Sequence, residues 1–328
     1  MSSRLEHSSV SDQTMNTNLT GGLFKLNFKA LGTVCEVQFR AESVEIAKEF
    51  RKSALGWLRD FEEQWSRFKP TSLLCRINAE AGRSGVEISK ADEEILKLCD
   101  HTFQISGGLN DPTSLPLTSL WDRAGREDRM PSSEEIEEAK NLISWPMVEW
   151  GDGKAFLPEK GMALEIGGFG KEYAVDRLIG FAKRLGIVDC LVDLGRDVSA
   201  LGQPPNGPVW VVGIEDAKEE DAVAFRLAVS GKGLATSGNG RRYRMIKGKK
   251  FGHIIDPRSG WPAENNLLTA SCLADDCLTA GILSTNACIV GENEGLENIE
   301  RSFGVDAVLQ TTSNNVHSSN IHRYVLGS

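Results

Sequence analysis

The segment GKEYAVDRLIGFAKRLG, residues 170–186, spaces its apolar residues as a helix does, stops on Gly186 and gives way at once to the strand-like CLVDLG. A change of side-chain period across a glycine requires helices and strands to share a core. Neither an all-helical bundle nor an all-β sandwich fits such a chain.

The same mixture runs through the whole sequence. LFKLNFKALGTVCEVQFRA alternates apolar and polar residues on either side of an ALGT turn, as strands joined by a turn do. ESVEIAKEFRKSALGWLRDFEEQWSRF reads as a helix with acids near its start, and KADEEILKLCDHTFQISGG as another closed by glycines. SSEEIEEAKNLI offers serine caps for a short third helix. Strands are expected in PVWVVGIEDA, FRLAVSGKGLATSG, RYRMIKGKKFGHIIDP and LLTASCLA, and a helix in LTAGILSTNACIVGENEG. With no internal repeat, low-complexity tract or long linker, residues 23–320 read as one α+β unit of two lobes, with mixed sheets and flanking helices. Residues 1–22, rich in Ser, Thr and Asn, read as a disordered leader.

Composition narrows the partners. A formal charge of -9 argues against nucleic acid, whose phosphates call for a basic surface. No apolar run reaches the roughly eighteen residues that a membrane-spanning helix needs. The leader lacks an apolar secretory core and a lipobox cysteine, so a cytoplasmic protein is expected. Cys35, Cys75, Cys99, Cys190, Cys272, Cys277 and Cys288 are scattered singly, mostly in apolar runs. They read as buried thiols of a reducing compartment.

Four glycine-bearing turns could carry chemistry. SGGLNDPTSLPLTSLW holds Asp111 extended before Pro112, and an Asx turn explains it equally well. In LEIGGFGKEYAVD three glycines precede a helix with Lys171 in its first turn, a place where backbone N–H groups can receive a phosphate. Neither the Walker nor the dinucleotide fingerprint fits it. VDLGRDVSALG, with Asp197, reads better as a structural turn. ATSGNGRRY runs through a hairpin into HIIDPRSG, where His253, Asp256 and Arg258 lie within six residues.

Taken in order, ALGT, WSRFKPTSLLCRIN, NDPTSLPLTSLW, EIGGFGKEYAVD, DLGRDV, WVVGIEDA, ATSGN, HIIDPRSGWP and LSTNACIVG resemble the ApbE family of FAD:protein FMN transferases. The resemblance covers roughly residues 26–300. It implies a two-lobed α+β fold that binds FAD between its lobes. It also implies Mg²⁺-dependent transfer of FMN to a Thr or Ser hydroxyl of an acceptor flavoprotein, with release of AMP.

Carried over by position, the resemblance implies flavin or cofactor contacts at Leu31, Phe68, Leu109, Asn110, Asp111, Glu165, Lys171 and Ile255. It places His253 near the reacting phosphate. The family pattern DLGGIAKGYAVD puts the metal-binding backbone carbonyl on Gly168, and ADALSTALFVLG puts the two metal-binding side chains on Gly281 and Thr285. Glycine has no oxygen in its side chain, so the metal site is expected to be altered at Gly281. A shifted register would use Asp275 and Thr279 instead, although acids at a helix start explain Asp275 and Asp276 without a metal. A non-catalytic FAD-binding protein and a metal-dependent FAD pyrophosphatase are the alternatives.

Overall fold

A computed structural model describes residues 11–19, 22–240 and 242–326. Among these residues nine strands form one sheet and lie side by side in chain order. They are β1 Ser11–Leu19, β2 Leu23–Ala30, β3 Thr33–Arg40, β4 Cys190–Leu194, β5 Asp197–Leu201, β6 Gly233–Gly238, β7 Leu267–Ala274, β8 Asp306–Thr311 and β9 Asn315–His317. Each neighbouring pair is antiparallel. The α+β class holds, and the mixing is of helices with sheets rather than of strand directions.

Two tight turns keep this meander flat enough to pack. Leu31 and Gly32 between β2 and β3, and Gly195 and Arg196 between β4 and β5, all adopt positive φ, the geometry that follows the natural twist of paired strands. Leu31 is held in it by donating its backbone N–H to Glu62 Oε1 at 2.7 Å.

The helices enter as insertions. Between β3 and β4 come α1 Val44–Trp65, α2 Leu73–Ala79, α3 Lys90–Ile105, α4 Leu115–Glu127, α5 Ser133–Lys140 and α6 Gly170–Arg184. Between β7 and β8 come α7 Cys277–Val290 and α8 Glu292–Arg301. One face of the sheet packs Phe24, Leu26, Phe39 and Val192 against α1, α6 and α7. A second core, built by Phe61, Trp65, Leu74, Leu96 and Leu157, forms the helical lobe. Helix α7 serves both cores, with Leu283 and Ala287 in the first and Leu278 and Ile282 in the second. Eleven of its fourteen residues are buried, so it has no solvent face and threads between the lobes.

Several boundaries differ from expectation. Ser11–Leu19 form an edge strand where the sequence suggests a leader, because ladder pairing to β2 uses backbone groups and needs no apolar side chains; residues 1–10 lie outside the described residues. Helix α4 begins inside what reads as a turn, with Pro116 in its first turn, where a missing N–H costs nothing. FRLAVSGKGLATSG splits into Val223–Ala228, in a separate three-stranded sheet, and β6. The last expected helix breaks at Gly291, whose φ of 88° separates α7 from α8.

Candidate active site

The segments singled out in the sequence converge where α6 begins beside α7. Gly167 and Gly168 are exposed just before α6, and a Cβ placed on Gly168 would meet nothing within 4 Å. Phe169, the cap of α6, is buried and has no polar side chain to satisfy the first N–H groups of the helix. In the first turn, Lys171 pairs directly with Asp197 at the start of β5 and lies 3.9 Å from Glu172 Oε1. Burial alone would lower the Lys171 pKa, but Glu172 and Asp197 hold it above the ordinary lysine range. Burial pushes the Glu172 and Asp197 carboxyls upward against the pull of the lysine. Asp197 is thus a buried counter-ion, more than the turn residue that its sequence suggests.

Helix α7 supplies the opposite wall. Gly281 sits in its middle, and a Cβ there would lie 2.5 Å from Glu172 Cγ, 3.0 Å from Cδ and 3.1 Å from Oε1. One turn further, Thr285 Oγ1 lies 2.9 Å from Ser237 Oγ, which is 2.8 Å from Ser284 Oγ. Ser284 in turn donates to the Gly281 carbonyl at 3.0 Å. The alternative pair is not assembled: Asp275 reaches out to Lys232 at 2.7 Å, while Thr279 donates its N–H and hydroxyl to Asp276, the α7 cap. Asp176 of α6 receives the N–H groups of Cys277 and Leu278, both at 2.9 Å, and so fixes the start of α7 against α6.

The loop after α3 lies along α7. Asn110 donates to the Ile282 carbonyl at 3.1 Å, and Asn286 donates to the Ser106 carbonyl at 3.1 Å. Leu109 packs half-buried against the main core. Asp111 spends both oxygens inside the chain: Oδ1 accepts from the Thr113 N–H and hydroxyl, and Oδ2 accepts from the Trp145 N–H. Its carboxylate is a brace, as an Asx turn predicts. Glu165 is engaged likewise by Thr118 and Ser114, with Arg67 at 3.8 Å. Arg67 also lies over the exposed ring of Phe68, 4.6 Å from its centroid.

At the hairpin end, Tyr243–Ile246 pairs with Lys249–Gly252, and His253 follows directly. Asp256 and Arg258 are consumed locally by a paired contact of 2.9 Å that closes the turn. The imidazole takes no part in that pair. Its Nδ1 lies 3.1 Å from the Arg242 carbonyl, so a proton there satisfies that oxygen and leaves Nε2 able to accept. Burial first, then the positive charges of Arg242, Arg244 and Lys171, hold its pKa down to about 4. Ile254 enters the main core, and Ile255 packs half-buried beside Leu117, Leu120 and Phe251.

A sequence model of the ApbE family matches residues 31–309. The chain belongs to the ApbE family. Among its relatives, the FAD:protein FMN transferase of Haemophilus influenzae is 25% identical over 311 residues, spanning 90% of this chain and 89% of that protein. That of Escherichia coli K12 is 26% identical over 283 residues, spanning 84% and 81%. The Thermotoga maritima ApbE protein superposes with a TM-score of 0.83 at 24% identity, covering 93% of this chain and all of that one. The flavinyl transferase ApbE of Pseudomonas stutzeri, in its apo form, superposes at 0.80 with 25% identity over 96% and 98%.

In this ApbE chain, Lys171, Gly168, Gly281 and Thr285 gather at the junction of α6 and α7, and Leu109 and Asn110 line its flank. Sequence reasoning missed Glu172 and Asp176, and it gave Ser237 no part although it quoted ATSGN. An acid after a first-turn lysine looks like ordinary dipole chemistry, and only the missing side chain at Gly281 hinted that something else fills that space. Among the described residues no helix is long and apolar enough to cross a membrane.

Proposed function

We propose that this chain is an FAD:protein FMN transferase, moving FMN from FAD to a Thr or Ser hydroxyl of an acceptor flavoprotein with Mg²⁺ as the required ion. The observation that carries the reading is the α6–α7 junction, where a lysine, a partnerless carboxylate oxygen and a chain of hydroxyls meet in a protein whose near-full-length relatives bear that name.

The donor group fits a hard cation. Glu172 Oε2 is buried with no hydrogen-bond partner among the described residues, and Gly281 leaves room for the Cγ, Cδ and Oε1 of that side chain. Thr285 offers a hydroxyl and Gly168 an exposed backbone. Mg²⁺ takes few carboxylates beside phosphate and water, so one carboxylate with a hydroxyl and a backbone carbonyl would serve it. When bound, Mg²⁺ neutralises the pyrophosphate and so stabilises the developing charge.

In the transfer, the acceptor oxygen bonds to the phosphorus of the FMN half. The anhydride P–O bond breaks, and AMP leaves with the bridging oxygen and its electron pair. His253 Nε2 takes the hydroxyl proton. Burial is the main cause of the low imidazole pKa, and a pyrophosphate placed beside Arg242 and Lys171 would offset the positive charges that add to it, raising the imidazole toward proton-accepting strength. Lys171 fixes the cofactor, while Leu31, Phe68, Leu109, Asn110 and Ile255 supply its walls. Asp111 and Glu165 hold those walls in shape. Six of the seven cysteines are buried and none is paired, which supports action in a reducing compartment on a cytoplasmic acceptor.

Incubation with FAD, with and without Mg²⁺, beside a flavoprotein carrying an accepting Thr tests the reading. Metal-dependent AMP with covalently flavinylated acceptor is expected. Free FMN with unmodified acceptor would mean a pyrophosphatase, and FAD binding without AMP would mean a binding protein.

A further inference from the structure

Helix α7 carries a glycine where helices tolerate one poorly, since glycine costs about 1 kcal/mol in a helix interior relative to alanine. Gly281 has an identifiable reason to be there. Any side chain would collide with Glu172, whose Cγ, Cδ and Oε1 all lie within 3.1 Å of where a Cβ would stand. The space that a residue at 281 would use is filled from the opposite helix.

Glu172 is the more distant of two counter-ions there. Lys171 already has Asp197 in direct contact, and its nitrogen is 3.9 Å from Glu172 Oε1, beyond hydrogen-bonding reach. Two carboxyl groups therefore face one ammonium, in a place where Glu172 is 7% exposed. Its Oε2 receives no donor among the described residues. A buried carboxylate oxygen without a partner is costly, and a cation would offset that cost. The hydroxyl of Thr285 and the Gly281 carbonyl, bound by Ser284, lie on the same stretch of α7.

We propose that Glu172 supplies from α6 the carboxylate that α7 lacks at Gly281, so that Glu172 and Thr285 together hold the divalent cation, and that Gly281 is the space this arrangement requires. The inference rests on the metal-dependent reading above and goes further by naming the ligand and the residue that admits it.

The test measures cation binding directly. Mn²⁺ is titrated into the full chain in the presence of FAD and followed by the loss of free-ion electron paramagnetic resonance signal, with FAD affinity measured separately without metal. Glu172→Gln, which keeps the shape of the side chain, is expected to weaken Mn²⁺ binding by at least about tenfold, a loss seen even for groups that only support a ligand. Its metal-free FAD affinity is expected to stay within about twofold, a split that merely structural damage would not give. Gly281→Asp alone is expected to lose cation binding through the clash, and Glu172→Gly combined with Gly281→Asp to regain it by returning a carboxylate to α7. Unchanged Mn²⁺ affinity in Glu172→Gln overturns the assignment while leaving the transferase reading intact. A native chain that binds no Mn²⁺ overturns both. Should the double variant not fold, the Glu172→Gln comparison decides alone.

Discussion

At the scale of the residue, two half-buried groups make the site's electrostatics testable. Lys171→Met leaves Asp197 and Glu172 without their cation, and removing one partner of a buried pair costs about 3–5 kcal/mol. Urea unfolding should show that loss, and Asp197→Leu added to Lys171→Met should recover much of it. His253 offers a pH test. Its folded pKa of about 4 lies below the ordinary 6.5, so between those values the unfolded chain binds the proton that the folded chain refuses. The contribution to stability is thus fully present above pH 6.5 and is lost as pH falls through 4. Nuclear magnetic resonance of the imidazole should show it neutral at pH 5.5, and His253→Gln should flatten the decline of stability between pH 6.5 and 4. The sequence placed Lys171, Gly168, Thr285 and His253 at landmark positions of the family resemblance, and the glycine at 281 was visible in the chain alone. The gain at Glu172 was not, although the family pattern DLGGIAKGYAVD has glycine at that place. Residues 172 and 281 are far apart in sequence, and only the packing of α6 on α7 brings their space together.

At the scale of the element, the position of α7 decides whether the site exists, and backbone contacts set it. Gly233 opens β6, and a Cβ there would drive into the backbone of Asp276 and Cys277 at the start of α7. Backbone cannot swing aside as a flexible side chain does. Gly233→Ala is therefore expected to cost about 1–3 kcal/mol as overpacking, read as a lowered midpoint in urea, and to weaken FAD binding by shifting α7. Asp176 opposes such a shift by holding the first two N–H groups of α7. Elements were easiest to read where a local rule governs them. The helix α5 follows from its serine cap and acids, realised as a capping box between Ser132 and Glu135. Long-range pairing was harder. FRLAVSGKGLATSG reads as one continuous strand, yet Val223–Ala228 pairs with Val211–Glu215 and β6 pairs with β5 and β7. Nothing local in that stretch states which sheet each half joins. The helix α4 was hidden for a related reason, since its proline looks like a turn until the flanking apolar residues find Ile136 and Phe251 to bury against.

At the scale of the whole molecule, the sharing of α7 between the sheet core and the helical core predicts how the protein unfolds. Were the lobes independent, each would keep its own helices and melt at its own midpoint. Here Leu278 and Ile282 lie in the helical core while Cys277, Leu283 and Cys288 lie in the sheet core, so neither can open without stripping the other of a wall. The cysteines report on both. Cys35, Cys190, Cys272, Cys277 and Cys288 belong to the sheet core and Cys99 to the helical core, and burial raises all of these thiols, Cys35 and Cys288 to about 12. A buried thiol of that kind neither meets reagent nor forms the reactive thiolate. Native protein treated with a thiol reagent is expected to react at no more than one site, the half-buried Cys75, and denatured protein at all seven. Across a urea series, Cys99 should become reactive at the same midpoint as the sheet-core cysteines and as the far-ultraviolet circular dichroism. A Cys99 that opens at lower urea than Cys190 would show the helical core melting first, and α7 would then be a hinge between two cooperative units instead of a wall common to both.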